Sequence, residues 1–150
     1  LLILLLIART LSIVSSTNSY RKHSNADSWA VGINDKKLLA SWLDHEMGDT
    51  LILKRSQLKN TDTLFVQRYL CGQTAENALT ELTITNFLGE TIAKAISENS
   101  GLMFRSDLEM AELLHSPDTG SGSVVGVHFA ILDETDIPGD NQLVCYIRFD

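Results

Sequence analysis

The sequence predicts a single α+β domain over residues 1–150, an antiparallel β-sheet packed by two or three helices. Three observations point there. The chain closes on two alternating apolar segments, VVGVHFAIL at 124–132 and LVCYIRF at 143–149, parted by the polar stretch DETDIPGDNQ. That pattern is a β-hairpin with an exposed acidic loop. Two further segments, NDKKLLASWLDHEMG at 34–48 and GETIAKAISENS at 89–100, place apolar residues at helical spacing. Finally, 150 residues is the length of one domain, and such a domain buries roughly 70% of the surface its unfolded chain exposes, so it needs no staples.

In chain order, residues 1–7 (LLILLLI) read as a buried strand. A targeting remnant over Leu1–Ala8 is the alternative. Against it, the run has no initiator methionine and no basic leader, Arg9 interrupts it, and no small-residue cleavage pair follows. The run is short of the about 20 apolar residues a membrane span needs, so no integral span is expected. The missing methionine suggests a fragment or a processed form. Residues 15–28 (SSTNSYRKHSNADS) are a polar loop, and WAVGI at 29–33 is a short strand.

A helix is expected over 35–47. Asn34 or Asp35 caps it, Leu38, Leu39, Trp42, Leu43 and Met47 form its apolar stripe, and Gly48 ends it. DTLILKRS at 49–56 and TLFVQRYLC at 63–71 read as strands. The β-type segment ALTELTITNFL then makes 63–88 a hairpin whose loop holds QTAEN. A helix over 75–85 is the alternative, because AENALTEL propagates well. The helix at 89–100 carries Leu88, Ile92 and Ile96 four residues apart and stops at Gly101. Within 101–116, Ser106 and Glu109 form a capping box for a short helix, and LMF reads as a strand. Residues 116–123 (SPDTGSGS) are a Gly/Ser loop.

Composition narrows the function. Nineteen acidic residues against 12 basic ones give a net charge of -7. An acidic protein repels phosphate backbones, so no nucleic-acid partner is expected through this segment, and anionic lipid is disfavoured too. Hydrophobic residues at 44% and charged residues at 21% are those of a soluble globular protein. Cys71 and Cys145 read as two buried thiols, with a disulfide in an oxidising compartment as the alternative. Their separation gives no zinc-ligand spacing, and His23, His45, His115 and His128 are scattered, so no metal and no cofactor are expected. No phosphate-binding glycine loop, nucleophile elbow or N-x-S/T sequon occurs. The triplet Asp44-His45-Glu46 on a helix would point three ways into solvent.

Arg68 is the leading candidate site residue. On a strand it shares one face with Leu64, Val66 and Leu70. A charge on a buried face requires a partner. That partner is either an internal Asp or Glu, or a ligand carboxylate gripped by the guanidinium fork. Arg148 and Tyr146 share a face of the last strand, and His128 lies on the less apolar face of its hairpin partner. Together they make a second anion contact or, alternatively, a solvated outer face. Arg105, after an apolar triplet, is a further candidate.

The order of elements adds a resemblance. The apolar opening LLILLLIARTLS, the segment LFVQRYLC…ALTELTITNFLGETIAKAI and the closing VVGVHFAILDETDIPGDNQLVCYIRF together resemble the chorismate lyase and UTRA superfamily. UTRA domains are the effector-binding halves of some bacterial transcription regulators. The resemblance implies that Arg68 holds a ligand carboxylate, making the chain a small-carboxylate-binding domain. It also implies an alternative, a chorismate-pyruvate lyase-like enzyme that leaves a hydroxybenzoate. The lyases carry a glutamate in the closing strand and LVCYIRFD has none, so binding is preferred over catalysis. A third reading is an exported or membrane-tethered structural domain with a Cys71–Cys145 disulfide and no small ligand. The expected location is cytoplasmic or organellar, or exported if Leu1–Ala8 is a targeting remnant.

Overall fold

The computed structural model describes residues 28–42, 48–132 and 141–150. The strand expected at 1–7, most of the 15–28 loop and the acidic loop of the last hairpin lie outside them. Among these residues nine strands run in chain order: β1 Ser28–Ile33, β2 Lys36–Trp42, β3 Thr50–Leu53, β4 Thr63–Tyr69, β5 Ala75–Thr85, β6 Thr91–Gly101, β7 Met103–Glu109, β8 Val124–Ile131 and β9 Gln142–Phe149. They form a four-stranded sheet ordered β2-β1-β4-β7 and a five-stranded sheet ordered β3-β9-β8-β5-β6. Helical structure among the described residues is confined to α1, Met110–Leu114, and two short 3-10 turns.

The α+β expectation is therefore overturned. The core is formed between two sheets, with Val31, Leu64, Val66 and Leu108 from one meeting Leu82, Phe129 and Ile147 from the other. No helical layer covers either sheet among the described residues.

Each misread helix has a physical cause. At 35–47, Asn34 (φ 49°) and Asp35 (φ 65°) both take left-handed conformations and join β1 to β2 in a two-residue hairpin. Asn and Asp serve helix caps and such turns equally well. The turn is pinned from outside: Asn34 Nδ2 donates to Asp62 Oδ1 at 2.8 Å, and Asn34 Oδ1 accepts from the Thr63 amide at 2.9 Å. The first of these bonds holds the Asp62 carboxyl below its usual range. Of the expected stripe, Leu39 packs against the core and Leu38 is exposed, beside an irregularity in the β1–β2 register. Residues 43–47 lie outside the described ones.

At 89–100 the chain is β6, paired with β5 along its length. A spacing of four is even, so Leu88, Ile92 and Ile96 fit the period of a strand as well as that of a helix. Residues 75–85 are the strand, not the helix, but β4 and β5 belong to different sheets. The expected 63–88 hairpin is thus a crossover between layers, and the hairpin is β5–β6. Ser106 lies buried within β7, and Glu109 only flanks α1, with no side-chain cap bond; the capping box does not form. The β8–β9 hairpin is present and antiparallel as expected.

Both cysteines are free thiols, so the Cys71–Cys145 disulfide is absent. Cys145 is the buried thiol expected, pushed up to about 12 by burial and by Asp49, whereas Cys71 is exposed.

One flank of the sandwich is closed by side chains. The edge amides of β7 are taken by β6: Arg105 N donates to Asn99 Oδ1 at 2.6 Å and Asp107 N to Ser97 Oγ at 3.4 Å. Behind them, Asn99 Nδ2 donates to Thr80 Oγ1 at 2.8 Å, and Thr80 shares a 2.7 Å hydrogen bond with Ser106 Oγ. These bonds satisfy buried polar groups and occupy an edge that would otherwise template another strand.

Candidate functional site

Alternation along the strands sorts the four-stranded sheet into two faces. Trp29, Arg68 and Phe104 stand in one row across β1, β4 and β7, and Ser28, Tyr69 and Met103 in the next. Neighbouring rows point to opposite sides of a sheet. The Trp29 ring meets Phe129 of the other sheet edge-to-face at 5.4 Å, so its row faces inward. The Ser28 row faces outward.

On the outer face lies a depression of about 260 Å³. Ala30, Ala40, Tyr69 and Met103 supply its largely apolar wall, and Trp29, whose ring turns inward, only borders it. Ser28, Lys37 and Gln67 add polar groups, and Lys37 is its one full positive charge among the described residues. The hollow follows from side-chain size. Ser28, Ala30 and Ala40 are small residues flanked by Tyr69 and Met103, so the sheet surface dips between them.

Further along the same face the surface is closed. Phe65 points outward yet is only 1% exposed. The Arg105 guanidinium lies 4.3 Å over its ring, and Gly32 has no side chain to push it away: a Cβ there would sit 2.7 Å from Phe65 Cε1. Arg105 is held by Asp107 and Asp35, each at 2.7 Å. The hydrogen bonds it donates to Asp107, more than the one it donates to Asp35, raise its pKa. Arg105 is therefore a cover rather than an anion receptor.

The candidate residues from the sequence do not converge. Arg68 faces the space between the sheets, its guanidinium 4.7 Å over the Trp29 ring. It is not part of the depression's wall, and the tryptophan ring it touches lies with it on the inward side. His128, Tyr146 and Arg148 lie on the outer side of the five-stranded sheet, where Tyr146 pairs with Gly126 and Arg148 with Val124. These three do share a region, as their strand positions suggested, and it is apart from Arg68. Arg148 is engaged by Asp150 at 2.9 Å through Nε and 3.3 Å through Nη2. His128 Nε2 and Thr85 Oγ1 share a 3.1 Å hydrogen bond, and burial lowers the imidazole pKa.

Sequence reasoning passed over Trp29, Lys37, Tyr69 and Met103. The available signal was the cluster of small residues at outward positions, legible only once β2 is read as a strand beside β1. Among the described residues, no group of three or more His, Cys, Asp or Glu side chains could hold a metal ion. No helix among them is long and apolar enough to cross a membrane. No family model matches the chain, and no curated protein matches it in sequence.

Proposed function

We propose that this β-sandwich binds a small carboxylate with a compact apolar body, seated in the outer-face depression with Lys37 as its counter-charge. One observation carries the reading: a largely apolar hollow of about 260 Å³ with a single lysine among the described residues of its lining. Ligand sites are concave and mostly apolar, with a few polar groups that fix orientation. Drug-sized ligands occupy about 300–1,000 Å³, so this hollow suits one ring or a short branched chain. Lys37 selects for negative charge, and Ser28 and Gln67 offer further hydrogen bonds. Arg68 takes no part in the site in this reading, since its guanidinium and the Trp29 ring lie together on the inner face.

The test is Trp fluorescence and thermal unfolding with phenylacetate, benzoate and cyclohexanecarboxylate, each against its alcohol analogue. A bound ligand at 100 times its dissociation constant stabilises the fold by about 2.7 kcal/mol. The acids are expected to bind and the alcohols not, with binding lost in Lys37→Ala and Tyr69→Ala. Equal binding of acid and alcohol, or full binding by Lys37→Ala, would sink the proposal.

A further inference from the structure

The β5–β6 hairpin ends in a tip built to display apolar side chains. Phe87 is 84% exposed and Leu88 is 66% exposed. The backbone beneath them is organised by Asn86. Its Oδ1 accepts from the Leu88 and Glu90 amides, both at 3.0 Å, and its Nδ2 donates to Glu90 Oε2 at 2.9 Å. Its own amide donates to Glu90 O at 2.9 Å, and its carbonyl accepts from the Gly89 amide at 3.0 Å. Gly89, at φ 81°, makes the turn. Such a loop offers Phe87 and Leu88 with little conformational entropy left to lose on binding. The exposed Glu90 carboxylate stands beside them.

A compact apolar group beside a carboxylate is the chemistry assigned above to the depression's ligand, and the Phe87 ring next to Glu90 supplies it. The same chain therefore carries both the receptor and a matching group. They lie at opposite ends of the molecule. The β5–β6 ladder runs from Thr85 and Thr91 beside the tip to Ala75 and Gly101, two residues before Met103 of the depression. At about 3.3 Å per residue that is roughly 30 Å, so a tip cannot reach its own depression.

We propose that the Phe87–Leu88 tip of one copy docks into the outer-face depression of a second copy, with Glu90 facing Lys37. The inference rests on the reading of the depression as an apolar, cation-lined site. The contact is heterologous, so it propagates head to tail instead of closing a symmetric dimer. A single tip covers far less than the about 1,200 Å² of a standard interface, so the association is weak and reversible.

Sedimentation velocity from about 10 μM to about 1 mM spans the range of such weak contacts. The wild-type chain is expected to show a sedimentation coefficient that climbs with concentration. Phe87→Ser removes the tip, and Lys37→Glu repels it; each variant alone is expected to stay monomeric. A one-to-one mixture pairs an intact tip with an intact depression and is expected to stop at dimers. Three results would each overturn the proposal: a wild type monomeric throughout, a Phe87→Ser variant that associates like wild type, or a Lys37→Glu variant that does, which would mean tip-to-tip contact. Phenylacetate titrated into Phe87→Ser separates the two readings. If it binds there while the wild type stays monomeric, the docking inference falls and the small-ligand reading stands; if neither occurs, both fall.

Discussion

The two halves of the four-stranded sheet's outer face invite comparison. At one end Phe65 is buried under Arg105, which Asp35 and Asp107 hold in place. At the other, Tyr69 and Met103 flank a hollow in which Lys37 carries the one positive charge among the described residues. Both ends offer aromatic surface next to a cation. The difference is whether local carboxylates fix that cation over the ring. A paired arginine lying flat on an aromatic face serves as a lid. A lysine is a compact point charge on a flexible stem, so it leaves the surface below it open to an outside group.

The largest break in this contrast should come from Phe65→Ala. Emptying a nearly fully buried aromatic site is expected to cost about 3–5 kcal/mol, whereas Tyr69→Ala in the open half should stay within about 1 kcal/mol. Urea unfolding of the two variants side by side measures it, and equal losses would erase the distinction between the halves. Next comes Gly32→Ala. Its Cβ would fall 2.1 Å from Lys36 O as well as 2.7 Å from the Phe65 ring, and overpacking of this kind costs about 1–3 kcal/mol. A neutral outcome would mean that the turn shifts freely and does not hold Phe65 down. Arg105→Ala should cost about 1 kcal/mol, the sum of a partly exposed cation–π contact and surface ion pairs. It should also bare Phe65, read as increased binding of an apolar dye. A variant that loses stability without added dye binding would show that Arg105 acts through its ion pairs and is no lid.

The smallest expected effect lies on the other sheet. Burial depresses the His128 pKa, so between that lowered value and about 6.5 the unfolded chain binds more protons than the folded one. Stability should therefore rise with pH through that window and level off above it. His128→Gln should flatten this slope, and a wild type with no slope there would show that His128 titrates alike in both states.

Much of the strand structure was legible from residue pattern. WAVGI, TLFVQRY, VVGVHFAI and the closing strand all lie where alternation put them. The inward direction of Arg68 was legible too, since parity alone fixes which side of a strand a residue takes. The helices failed because their signals were degenerate. Apolar residues four apart satisfy both periods, and Asn34-Asp35 suits a cap or a tight hairpin.

By itself the sequence determined the acidic charge, the alternation of the strands and the grouping of His128, Tyr146 and Arg148 on one sheet. Tertiary structure decided which segments became partners: that β4 and β5 separate into different sheets, that Arg68 meets Trp29, and that the small outward residues of β1 and β2 adjoin Tyr69 and Met103. The physical reason is that alternation specifies a strand's faces but not its neighbours. Pairing between segments distant in sequence is settled by the burial and hydrogen bonding of the whole sandwich.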